Sequence, residues 1–64
     1  MIIYKYHDIN GNTYGLAIDY TKQIFYRNLN VSTRIDAKKT TRKHLRELRQ
    51  ELLQAGFTES QEWI

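Results

Sequence analysis

From Lys38 to Ala55 the chain reads KKTTRKHLRELRQELLQA, and its apolar residues recur at the spacing of one helix face. At about 100° per residue, Thr41, Leu45, Leu48, Leu52 and Ala55 fall in one narrow sector, the pattern of an amphipathic helix. Lys38, Arg42, Arg46 and Arg49 form the adjoining stripe, with Lys39 and Lys43 just beyond it. Glu47, Glu51 and Gln54 take most of what remains. A short helix of this kind draws its stability from burying its apolar stripe, so the rest of the chain must supply a surface for it to cover. The chain has 64 residues and no Cys, so that surface must hold without disulfides or thiolate metal ligands. The expectation is one small domain over residues 1–64.

The residues before the helix read as strands. Residues 2–8, IIYKYHD, are β-branched and aromatic with polar residues alternating in. Asn10-Gly11 follows, a hairpin signal because a tight two-residue turn needs φ > 0 at both central positions. Thr13 to Tyr20 then alternates Tyr14, Leu16, Ile18 and Tyr20 against Thr13, Gly15, Ala17 and Asp19. A two-residue turn sets Ile3 opposite Ile18, Lys5 opposite Leu16 and His7 opposite Tyr14, with Tyr4 and Tyr6 on the other face covering Ala17 and Gly15. Thr21-Lys22-Gln23 is a second turn, and Ile24 to Leu29 a third strand. A two-residue turn there places Phe25, Arg27 and Leu29 on the Ile3/Ile18 face; a three-residue turn places Ile24 and Tyr26 there instead.

Asn28 to Ala37 connects sheet to helix, either with Val31 and Ile35 anchored in the core or with Val31 to Ile35 as a short edge strand. Asp36 or Thr40 is the expected helix cap. Gly56 is the expected left-handed terminator, with Phe57 in the hydrophobic contact that accompanies it. Thr58-Glu59-Ser60-Gln61 has capping-box spacing, which predicts a final short turn carrying Trp63 and Ile64 back onto the body. The fold expected is α+β: a three-stranded antiparallel β-meander packed on one long C-terminal helix. Its core is Ile3, Leu16, Ile18, Leu45, Leu48 and Leu52 with one set of third-strand residues.

Charge and motif narrow the function. The formal net charge is +3, but Arg34 to Arg49 alone holds seven cations against Asp36 and Glu47. From Gln50 onward there are Glu51, Glu59 and Glu62 and no cation. Such a patch suits phosphate, an acidic protein surface or solubility alone. His7 and His44 stand on different elements with no motif around them, and no Ser or Thr has a base placed beside it. Asp8 reads as a turn-flanking residue. Gly11, Gly15 and Gly56 serve a turn, a strand and a cap, so no phosphate-cradling loop is formed, and no His, Asp and Glu spacing suggests a metal. A non-enzyme is expected, with no cofactor and no small-molecule substrate. Met1 runs into an apolar, strand-like stretch without a basic leader, and no apolar run approaches the ~20 residues of a membrane span. A cytoplasmic protein without membrane contact is expected.

Tyr4-Lys5-Tyr6-His7-Asp8 with Gly11 makes a Y-K-Y-x-D-x-x-G pattern opening the hairpin, and a helix from Asp36-Ala37 to Leu53 follows the strands. Over about residues 2–55 this resembles the arm-type DNA-binding domain of tyrosine recombinases and the related plant AP2 domain. The resemblance implies a sheet lying in the major groove with the helix bracing its back, and DNA contact through sheet residues such as Tyr4, Tyr6 and Arg27. A second, partial likeness is to the C-terminal half of double-stranded RNA-binding domains, where a basic helix start meets phosphates. This chain has no counterpart of that fold's N-terminal helix.

The expected function is a small non-catalytic nucleic-acid-binding module of the kind found in phage and mobile elements. Its contacts are expected from Lys38, Lys39, Arg42, Lys43, Arg46 and Arg49, joined by Tyr4, Tyr6 and Arg27 on the sheet. The alternative is an adaptor or inhibitor that binds a protein partner, or a second copy as a homodimer, through the sheet face and edge. Leu53, which projects among the basic residues, would belong to such a surface.

Overall fold

A computed structural model describes residues 1–30 and 37–64. The elements run β1 (Ile2–His7), β2 (Thr13–Asp19), β3 (Ile24–Leu29), β4 (Lys38–Thr40), α1 (Arg42–Gln54) and β5 (Thr58–Trp63). These strands join one antiparallel sheet in the order β4-β3-β2-β1-β5. The α+β class, the antiparallel sheet and the covering helix agree with the reading from sequence. Two features correct it. The described sheet has five strands rather than three, and the helix lies between β4 and β5 instead of ending the chain.

The topology sets the helix length. It leaves the sheet at one edge, β4, and returns at the other, β5, so it must cross the whole face. Five strands span roughly 19 Å at their usual spacing, and the 13 residues of α1 run about 20 Å. Lys38-Lys39-Thr40, expected as helix, pairs with β3 instead, Phe25 facing Thr40 and Arg27 facing Lys38. The helix begins at Arg42. Thr41 is its cap, with extended backbone and a side-chain oxygen that accepts from the His44 N–H at 3.1 Å. Thr40 therefore does not cap the helix. Val31, Ile35 and Asp36, expected as two core anchors and an alternative cap, lie outside the described residues.

The first hairpin corrects the expected register by one residue. Ile2 pairs with Ile18, Ile3 with Ala17, Tyr4 with Leu16 and Tyr6 with Tyr14. The cause is Asp8. Its carboxylate accepts from the backbone N–H groups of Asn10 (3.0 Å) and Asn12 (2.8 Å) and from the Asn12 amide (2.9 Å). These bonds hold the Asp8 carboxyl below its ordinary pKa, the Asn12 amide foremost. The Asp8 N–H donates to the Asn12 carbonyl, leaving Ile9-Asn10-Gly11 as a three-residue loop with Gly11 at φ 81°. One extra loop residue exchanges the faces of the sheet.

As a result Ile2, Tyr4, Tyr6, Leu16 and Leu45 form the core between sheet and helix, with Ile18, Phe25, Leu48, Leu52 and Phe57 packed against it. Ile3, expected in that core, lies on the opposite face in a second buried cluster with Ala17 and Leu29, against which Tyr26 packs. Ile24 and Tyr26 stay together, opposite Asp19 and Ala17 on the face away from the helix, whereas the Phe25, Arg27 and Leu29 set is split. A bulge opposite Leu16, with Asn28 at φ 56°, keeps Phe25 on the helix face beside Ile18 and moves Leu29 to the other, opposite Gly15. The Tyr14 hydroxyl donates to the Asn28 side-chain oxygen at this bulge.

The helix ends as expected at Gly56 (φ 93°). The Phe57 N–H donates to Leu52 O at 3.0 Å and the Gly56 N–H to Leu53 O at 3.2 Å, a Schellman pair, and Phe57 packs into the core. A Cβ on Gly56 would meet nothing within 4 Å, so its substitution costs backbone strain alone. Gly56→Ala is expected to lower stability by roughly 1 kcal/mol, read as a lower urea midpoint at unchanged slope. The four residues expected as a last helical turn, Thr58 to Gln61, are instead strand. The outer side of β1 is open there, and β5 fills it with Tyr6 facing Glu59 and Ile2 facing Trp63. Strand β5 rather than a helical turn brings Trp63 and Ile64 back to the sheet, Trp63 opposite Ile2 and the Ile64 N–H donating to Met1 O at 2.8 Å, with both side chains largely exposed.

Candidate nucleic-acid interface

Arg42, Arg46 and Arg49 lie at i, i+4 and i+7, one flank of α1 beside the Leu45, Leu48 and Leu52 stripe. Because that stripe is held on the sheet, the flank overhangs the end of the sheet where β2 turns into β3. The result is a cleft of about 270 Å³. Ile18, Phe25 and Leu45 give it apolar walls, Tyr20 and Gln23 border it from the turn, and the three arginines line the helix side.

The arginines differ in what they are free to do. Arg49 is committed internally: its Nη2 lies 3.1 Å from Glu59 Oε1, its Nε donates to the Tyr6 hydroxyl at 3.3 Å, and its guanidinium carbon sits 4.2 Å from the Tyr4 ring centre. The Tyr6 hydroxyl in turn donates to Glu59. Arg42 lies over Phe25, its guanidinium carbon 5.4 Å from the ring centre, an arrangement that holds the charge in place and leaves its donors free. Neither Arg42 nor Arg46 has a carboxylate partner among the described residues, and both are exposed.

The Tyr6–Glu59–Arg49 group is the electrostatic anchor of the cleft. Burial works to raise the Glu59 carboxyl, but hydrogen bonds from Tyr6 and Arg49 outweigh it and leave the pKa below its ordinary value. Burial, then the hydrogen bond to Glu59, pushes the Tyr6 hydroxyl strongly upward, and burial likewise raises Tyr4. For Arg49 the bonds to Glu59 and Tyr6 overcome the opposing effect of burial and raise it further. A carboxylate depressed in the folded state stabilises it above the unfolded pKa of about 4.3 and loses that contribution as pH falls through the folded value. Glu59→Gln is therefore expected to cost roughly 1–2 kcal/mol at neutral pH. The difference from the native chain should shrink in thermal melts as pH is lowered from the ordinary carboxylate range into the more acidic range.

The structure separates the residues expected to act together. Arg42 and Arg46 share the cleft, and Arg49 anchors it. Lys43 is exposed, about 100° around the helix from Arg42 and outside the cleft. Lys38 and Arg27 face each other across β4 and β3, while Lys39 pairs with Tyr26, on the face opposite Arg27. Tyr4 and Tyr6 are corrected outright. They are 6% and 1% exposed beneath the helix, so neither ring offers a surface for a base. The same one-residue register change that buried them is the reason.

The aromatic residues that are accessible were missed. Tyr20 is 50% exposed and Trp63 69% exposed, and their rings stack with centres 5.9 Å apart and planes 13° from parallel. The available signal was position: each stands at the end of a strand, and the strands flank β1. Leu53 is exposed on the arginine side, as its place on the wheel implied. Asp19 accepts from the Lys22 N–H at 3.2 Å in the second turn, a structural role like that of Asp8. Among the described residues no group of three or more His, Asp or Glu is placed to hold a metal, and no helix is long and apolar enough to cross a membrane. Comparison of the chain with protein-family models, with curated proteins and with solved structures finds no match.

Proposed function

We propose that this domain binds nucleic acid without catalysing a reaction, and that Arg42 and Arg46 at the cleft are its principal phosphate contacts. The observation that carries this reading is their unneutralised charge in a cleft whose third arginine is already paired with Glu59. A guanidinium held over an aromatic ring keeps donors for phosphate oxygens and has little rotamer freedom left to lose. Arg27 and Lys38 extend positive charge along the β3–β4 side of the same face, so a phosphate backbone can continue past the helix start.

Binding that rests on about three phosphates should weaken roughly 10- to 50-fold between ~50 and ~200 mM salt. Fluorescence anisotropy with labelled oligonucleotides measures this. Absence of binding at ~50 mM salt, or binding indifferent to salt, contradicts the reading.

A second reading, a protein-binding module, is favoured by one feature: β5 is a six-residue edge strand of the described sheet, open to addition of another strand. A second copy fits this edge poorly. Antiparallel self-pairing centred between Ser60 and Gln61 sets Glu59 against the other copy's Glu62, and like charges directly opposite are unfavourable. Sedimentation is accordingly expected to give a monomer, and a dimer dissolved by substitutions on β5 would favour the second reading.

A further inference from the structure

We infer that Tyr20 and Trp63, continuous with the Arg42–Arg46 flank, form a base-and-phosphate site for single-stranded nucleic acid. The inference rests on the nucleic-acid reading above and adds to it the class of strand and the base contact. Tyr20 belongs to both halves of the site: it borders the arginine-lined cleft and stacks on Trp63. Ile2 pairs with Ile18 on one side and with Trp63 on the other, so the ends of β2 and β5 that carry the two rings bracket the start of β1. The pair is mutually aligned yet more than half of Trp63 remains in water. An ordered, exposed ring face is what an unpaired base can stack on, and a cationic groove beside it tracks the backbone.

Duplex fits this geometry less well. The base faces of a duplex are already stacked on one another, so the Tyr20–Trp63 pair would have nothing to receive. A helix that reads the major groove must present its outward side. On α1 the outward side sets Lys43 beside Glu47 and Glu51, so its charges largely cancel, whereas Arg42 and Arg46 line the concavity between helix and sheet. A flexible single strand can enter that concavity.

The chain has a single Trp, so Trp63 reports on its own occupancy. The experiment titrates the full chain at low salt with a labelled 12-residue oligothymidylate, a mixed-sequence duplex of equal length, and an abasic strand of the same length. The expected result is tightest binding of the oligothymidylate, with quenching of Trp63 emission. Trp63→Ala should weaken that binding by roughly five- to a hundredfold, read by anisotropy of the label, and leave abasic-strand binding unchanged. Trp63→Phe, which keeps a ring, should recover most of the loss. Duplex binding equal to or tighter than single-strand binding, or full affinity in Trp63→Ala, overturns the inference and leaves the nucleic-acid reading standing. Failure of all three ligands to bind removes both.

Discussion

A variant carrying both Arg42→Ala and Arg46→Ala is expected to bind a short oligonucleotide roughly thirtyfold more weakly than the native chain at ~100 mM salt. Two solvent-exposed contacts, each contributing about 1 kcal/mol net, set that scale. The slope of affinity against salt should flatten as well, because two fewer phosphates are neutralised. Stability should change little. Both side chains are exposed, and taking the Arg42 guanidinium away from the Phe25 ring costs about 0.5–1 kcal/mol. Lys43→Ala is the matched control. It removes the same charge from the same helix outside the cleft and is expected to change affinity by less than about threefold. Equal losses from Lys43→Ala and from Arg42→Ala would mean that net charge, rather than the cleft, governs binding.

The largest effect on folding is expected at Leu45. It is 4% exposed and the buried helix residue that joins α1 to Ile2, Tyr4, Tyr6 and Leu16. Leu→Ala at such a site costs about 2–5 kcal/mol, against a total of about 3–10 kcal/mol for a chain of this length. Leu45→Ala should thus populate unfolded chains at room temperature, visible as a weaker helical circular dichroism signal and a broadened or absent melt. Leu53→Ala, at a half-exposed position on the same helix, should leave the melt within about 1 kcal/mol of native. The contrast tests the orientation of the helix. If Leu53 proved the more costly site, α1 would be turned about its axis, and the arginine flank would no longer overhang the cleft.

The parts of the structure legible in the sequence are those governed by local chemistry. The Leu45–Leu48–Leu52 stripe and the Gly56 terminator with its Phe57 contact follow from periodicity or from what φ > 0 demands, and a hairpin forms at Asn10-Gly11, although only Gly11 of the two has φ > 0. The misreadings arise where a distant or side-chain partner decided the outcome. Asp8 gathers the N–H groups of Asn10 and Asn12 and lengthens the hairpin loop by one residue, which sends Tyr4 and Tyr6 inward. Thr58 to Gln61 has the pattern of a helix start, yet the open side of β1 offers a full strand of backbone partners and wins. Lys38-Lys39-Thr40 continues the helical charge stripe on a wheel but pairs with β3, because Thr41 is the residue that caps.

For the candidate site the arginine flank was legible and its surroundings were not. Periodicity alone groups Arg42, Arg46 and Arg49, but only the tertiary contact with Glu59 distinguishes the committed Arg49 from the two that remain available. The accessible aromatic pair depends on two strand ends separated by more than forty residues in the chain, a juxtaposition that no sequence window contains.

The most direct test is residue-resolved: 15N-resolved NMR of the full chain titrated with a short single-stranded oligonucleotide at low salt. Shifts are expected to concentrate at the Trp63 indole N–H, at Tyr20 and Gln23, and at Arg42 and Arg46, with Lys39, Lys5 and His7 on the opposite face nearly unmoved. Shifts confined to that opposite face or to the outer edge of β5, or no shifts at all, would contradict the proposed site.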